Sequence, residues 1–139
     1  MVNQERFISF LENFSASQLD QLSEVYADDI DFKDPLNEAQ GITHFLAVER
    51  DTVKQLKEIR FEIISSRGDE TECFVSWVMN YRFRFWQREI EGASHVKFNE
   101  QGRVNYQRDY WDASLPVYGE FPTLGWIMKL IKQMISVKG

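Results

Sequence analysis

The chain has 139 residues, 43% hydrophobic and 14% aromatic, so it holds the material for one packed domain and does not read as a disordered segment. A formal net charge of −6 and a sequence pI near 4.9 disfavour nucleic acid and anionic membrane as general partners. One cysteine, Cys73, excludes an internal disulfide, and His44 and His95 share no metal-binding spacing, so no metal or other cofactor is expected.

The polar start, residues 1–6, shows no signal-peptide pattern, and no apolar run reaches the roughly 18 residues of a membrane span. A cytoplasmic location is the default expectation. Phe7, Phe10, Leu11 and Phe14 recur at helical spacing and predict an amphipathic helix over residues 3–14. Ser15-Ala16-Ser17 breaks it. Ser17, with Asp20 three residues on, resembles a cap for a second helix carrying Leu19, Leu22, Val25 and Tyr26 on one face and ending at Tyr26. An acidic turn then leads into a short extended piece, residues 30–32, and an Asp34-Pro35 corner. Proline fixes its own φ and pushes the preceding residue out of the helical region, so Asp34 is expected extended at a rigid corner. A carboxylate held there either forms the turn, contacts a ligand or moves a proton.

Past Gly41 a third helix is expected over about residues 42–56, with Ile42, Phe45, Leu46, Val53 and Leu56 on its apolar face. Glu49, four residues beyond Phe45, falls on that face. It reads either as a rim carboxylate with its head in water or as a cavity-lining acid with a raised pKa.

From Ile59 the period changes to two. A strand at 59–63 and a turn at Arg67-Gly68-Asp69 precede a long strand over 72–86. One face of that strand carries Cys73, Val75, Trp77, Met79, Tyr81, Phe83 and Phe85; the other carries Ser76, Asn80, Arg82 and Arg84. A turn at 87–91 is followed by a strand at 92–99, in which Ser94, Val96 and Phe98 oppose His95, Lys97 and Asn99. Asn99-Glu100-Gln101-Gly102 signals a hairpin into a last strand over 103–112. Helices followed by a meander of strands make the α+β pattern, with three N-terminal helices on one face of a curved antiparallel sheet. Residues 115–139 belong to the same single domain as an extension. Their helix, from about Thr123, is apolar round most of its circumference.

The segment from Tyr26 to Pro35, together with Phe98-Asn99-Glu100-Gln101-Gly102-Arg103-Val104 and Asp109-Tyr110-Trp111, resembles the nuclear transport factor 2-like superfamily over residues 3–114. The SnoaL-like members are the nearest in kind, with ketosteroid isomerase, limonene epoxide hydrolase and the polyketide cyclases as relatives. The resemblance implies a cone with a deep apolar cavity at its wide end, holding a small hydrophobic molecule, and a homodimer through the outer face of the sheet. The C-terminal helix would then lid the cone, pack on the dimer partner or lie on a membrane surface.

Residue by residue, Asp34 matches the isomerase carboxylate that shuttles the proton, and Tyr26 a tyrosine of its hydrogen-bond network. The isomerase's two oxyanion donors fall at Phe10, which cannot donate, and Ser94, which donates more weakly than a protonated acid. Losing such donors costs ~10²–10³ in rate each, so steroid isomerisation is not expected. Trp111 matches a cavity-lining tryptophan. Asp109 and Gln107, on the same strand face, are expected to point inward, Asp109 either paired with an arginine or as a functional group of the cavity. Limonene epoxide hydrolase holds a water with two aspartates and an arginine, which Asp34, Asp109 and Arg82 or Arg84 would supply. His95 is expected on the outer face or dimer interface, His44 in solvent, and Cys73 in the core. The function expected is cofactor-free isomerase, cyclase or hydrolase chemistry with Asp34 or Asp109 as base. A non-catalytic ligand-binding or dimeric protein-interaction module is the alternative.

Overall fold

Four helices and six strands follow one another in the computed structural model, which describes residues 2–112. The helix expected from about Thr123, and the three roles open to it, lie outside the described residues. Helix α1 (Val2–Glu12) turns Phe7, Phe10 and Leu11 inward at helical spacing, and Phe14 follows them into the core.

The second expected helix is instead two four-residue turns, α2 (Ala16–Leu19) and α3 (Leu22–Val25). At their junction the amides of Asp20 and Gln21 bond carbonyls three residues back, a tighter winding that interrupts the helix while Leu19, Leu22 and Val25 all stay buried. Asp20 does not cap. Its carboxylate lies 3.2 Å from Arg50, and Ser15 rather than Ser17 occupies the cap position.

Tyr26 already belongs to strand β1 (Tyr26–Lys33), which pairs with the short β2 (Glu38–Gln40) across the Asp-Pro corner. Gly41, at φ +84, lets the chain swing directly into α4 (Ile42–Gln55), a backbone conformation that other residues adopt only with strain. Strands β3 (Lys57–Gly68), β4 (Glu72–Phe83), β5 (Trp86–Phe98) and β6 (Val104–Trp111) form the meander.

The sheet is curved and unclosed, ordered β2-β1-β6-β5-β4-β3. All its pairs are antiparallel except β1 with β6, which run parallel because the chain reaches β6 only after going round the meander. Two further details depart from the expected pattern. The β4–β5 turn falls at Arg84-Phe85, not at 87–91: Arg84 adopts φ +57, and Phe85 is 93% exposed instead of continuing the inner face. In β6 the register slips at Asn105, since Lys97 pairs with Tyr106 but Phe98 with Val104. That bulge lets Val104 and Gln107 both point inward although three positions separate them.

The helices cover the concave face. There a run of rings packs edge to face or tilted, from Phe32 through Phe45, Tyr26, Phe10, Phe14 and Phe61 to Trp77, with centroids 4.6 to 5.9 Å apart. No described helix is long and apolar enough to cross a membrane.

Candidate functional site

Between the concave face and helices α1 and α4 the rings do not fill the space: a cavity of about 340 Å³ remains. Eight of the candidates named from the sequence line it: Phe10, Tyr26, Asp34, Glu49, Ser94, Gln107, Asp109 and Trp111. Strands β5 and β6 bring Ser94 and Asp109 opposite one another in register. Phe32 and Gln107 face each other across the parallel β1–β6 pair, and this carries Tyr26 and the Asp34 corner to the same wall.

A hydrogen-bonded chain runs along the inner sheet. The Tyr26 hydroxyl donates to Gln107 Oε1 at 2.7 Å, and Gln107 Nε2 donates to Asp109 Oδ1 at 2.9 Å. From the other side Trp77 Nε1 donates to Ser94 Oγ at 3.0 Å, and Ser94 Oγ donates to Asp109 Oδ1 at 2.6 Å. Asp109 Oδ1 is therefore the acceptor on which two relays converge. Gly92 makes the second relay possible. It pairs with Trp77 across β4 and β5, and a Cβ there would come within 2.4 Å of the indole. The role of Trp77 as a donor to the site is invisible in the sequence, where it reads as one more alternating core residue.

The carboxyls facing the cavity differ in proton affinity, and the causes are local. Burial pushes Asp109 up to about 6, while the hydrogen bonds from Ser94 and Gln107 hold it back by favouring the anion. Glu49, one turn beyond Phe45 on α4, goes further, to about 8. Burial is the main cause, followed by the negative charges of Asp109 and Asp34. Unlike Asp109, Glu49 has no hydrogen-bond donor or cation beside it among the described residues. Glu49 is half-buried and lines the cavity. Tyr26 is likewise held well above the usual phenol value, first by burial and then by Glu49 and Asp109. At neutral pH the cavity thus holds a proton on Glu49 and a largely ionised Asp109.

Asp34 is at once a turn-former and a wall of the cavity. Its Oδ1 accepts from the amides of Leu36 and Asn37 at 2.8 and 2.7 Å, and from Asn37 Nδ2 at 3.3 Å. Neither arginine proposed for a water-holding triad reaches the site. Arg82 turns to the outer face, where its Nε lies 3.4 Å from Glu58, and Arg84 sits in the β4–β5 turn over the Phe83 ring. The period of two accounts for this: Tyr81 and Phe83 line the cavity, so Arg82 must point away. Nor does Asp109 pair with an arginine among the described residues; its neighbour Arg108 bonds Asp31 at 3.1 Å on the far face. His95 lies on the outer face, stacked on Phe74 with Nε2 3.0 Å from Glu72, and His44 is exposed. Cys73 is fully buried.

The model of the SnoaL-like domain matches residues 7–107. No curated protein matches the chain. Among solved structures, a proposed SnoaL-like polyketide cyclase of Shewanella denitrificans superposes with a TM-score of 0.70 at 17% identity, over 80% of this chain and 90% of that one. An M. tuberculosis epoxide hydrolase like limonene epoxide hydrolase gives 0.67 at 14% identity, over 94% and 93%. A proposed isomerase of the SnoaL-like family from Agrobacterium tumefaciens gives 0.66 at 16% identity, over 81% and 99%. At these identities the likeness is one of fold.

Proposed function

This chain belongs to the SnoaL-like domain family, and on that premise we propose that its cavity binds a small, largely apolar carbonyl or epoxide compound and moves a proton on it. One observation carries the reading: Asp109 and Glu49 face the same cavity with their proton affinities pushed apart. Two carboxyls in that relation divide naturally into a base and an acid. Asp109, ionised and oriented by Ser94 and Gln107, takes a proton from carbon or from an attacking water. Glu49, still protonated, gives one to the carbonyl or epoxide oxygen on which charge develops. Asp34, with Oδ1 engaged by its own turn, adds negative charge to the wall and is the weaker candidate for the base. No arginine is among the described residues that line the cavity, so the task of stabilising an opening epoxide falls to the Glu49 proton. The rings of Phe10, Phe45, Trp77 and Trp111 select an apolar body.

The test is a panel of small cyclic ketones and epoxides in deuterated water, followed by mass spectrometry for α-carbon exchange and ring opening. The kcat/KM of an active compound should rise with pH through about 6, as Asp109 ionises, and fall through about 8, as Glu49 loses its proton. Asp109→Asn should lower it by ~10²–10⁴. Undiminished activity in Asp109→Asn would refute the assignment. Saturable binding without chemistry on any member would give the cavity to ligand binding alone.

A further inference from the structure

Four carboxyl-bearing residues line the cavity, Asp34, Glu49, Asp51 and Asp109, and among the described lining residues there is no lysine, arginine or histidine. The nearby basic side chains are turned outward to other partners: Arg108 to Asp31, Arg50 to Asp20, Lys33 to Glu38 and Arg82 to Glu58. Both hydrogen bonds that reach Asp109 go to Oδ1, so its Oδ2 has no donor among the described residues. Glu49 is half-buried in the same wall and has no hydrogen-bond partner among the described residues either. Among the described residues no three such side chains converge closely enough to chelate a metal ion.

A half-buried carboxylate without a counter-charge is costly, and removing its remaining water with a neutral ligand would make it costlier. A cation entering the cavity reverses that sign. The rest of the wall suits one, because ring faces attract ammonium groups and Phe10, Phe45, Trp77 and Trp111 surround the same space.

We propose that the substrate of this cavity is an apolar molecule bearing an ammonium group, whose positive charge is met by Asp109 between aromatic walls. The proposal rests on the reading that this cavity is the substrate site and adds to it the charge of the substrate. Among the described residues, the groups that face Asp109 are Glu49 from α4, Asp34 from the β1–β2 corner, Tyr26 from β1, and the donors Ser94 and Gln107, with no cation among them.

The test compares benzyltrimethylammonium with its uncharged carbon isostere, neopentylbenzene, on the full chain, read from the indole NMR signals of Trp77 and Trp111. At about pH 7 the ammonium should bind at least tenfold more tightly. Asp109→Asn should bring the two within about threefold, whereas Glu49→Gln should keep the preference. A second lever works in the wild type itself: raising the pH from about 7, where Asp109 is already largely ionised, to about 9 should widen the preference as Glu49 ionises, and the widening should be absent from Glu49→Gln. If neopentylbenzene binds as tightly and shifts the same signals, the ammonium proposal fails while the acid–base reading stands. If neither compound shifts them, both fail together.

Discussion

Replacing Glu49 with glutamine isolates the cost of ionising this acid in the cavity wall. In the folded protein Glu49 keeps its proton up to about pH 8, whereas its ordinary value is 4.5. Between those values the folded chain binds a proton that the unfolded chain has released. Wild-type stability therefore falls as pH rises through the window and levels off above it. Each pH unit is worth about 1.4 kcal/mol, so the loss reaches about 3 kcal/mol by pH 7 and about 5 kcal/mol beyond pH 8. Glutamine keeps the shape and removes the titration. Its amide has no better partner than the acid had, which adds an offset of about 1–3 kcal/mol that does not vary with pH. Asp109, raised from 3.8 to about 6, adds its own fall in stability between those values, but it is present in both proteins and cancels in the difference. Urea unfolding followed by tryptophan fluorescence, in steps from about pH 4 to 9, gives that difference. Glu49→Gln should gain on the wild type steadily from about pH 5 to 8. A difference that stays flat over that range would mean that Glu49 is ionised in the native protein, and the acid role would be lost with it.

Three further outcomes follow from the geometry. Ser94→Ala removes the 2.6 Å donor to Asp109 and should raise the Asp109 pKa above about 6, read by carboxyl-carbon NMR; an unchanged or lowered value would deny the hydrogen bond its effect. Gly92→Ala puts a methyl group where the Trp77 indole lies and should cost about 1–3 kcal/mol, together with a shifted indole N–H resonance as the bond to Ser94 is lost. A native-like indole signal would show that the strand absorbs the methyl without moving the ring. Phe45→Ala empties the contact that joins Tyr26 to Phe32 and should cost about 3–5 kcal/mol by chemical denaturation, and a loss under about 1 kcal/mol would mean that the α4 face is not part of the core.

The part of this protein legible in the chain is what depends on near neighbours. Phe7, Phe10, Leu11 and Phe14 are spaced for one helical face, and Val75, Trp77, Met79 and Tyr81 for one strand face, so each side chain's direction follows from a period that a few residues suffice to define. Turn chemistry did as much for Asn99-Glu100-Gln101-Gly102, where Asn99 Oδ1 accepts from the amides of Gln101 and Arg103. Where the chemistry is absent, the reading slips: Arg84-Phe85 carries no glycine, asparagine or proline, yet it turns the chain. The broken second helix, the parallel pairing of β1 with β6 and the bulge at Asn105 were equally out of reach, since each is settled by what the segment packs against. Sequence alone therefore determined most of the long elements, their order and the family likeness. Only the tertiary structure decided that Glu49 stands unpartnered in the cavity wall and that Tyr26 and Trp77 reach Asp109 through Gln107 and Ser94. The reason is physical: a side chain's direction is a property of its own few residues, but its proton affinity is a property of whatever distant segments exclude water from it.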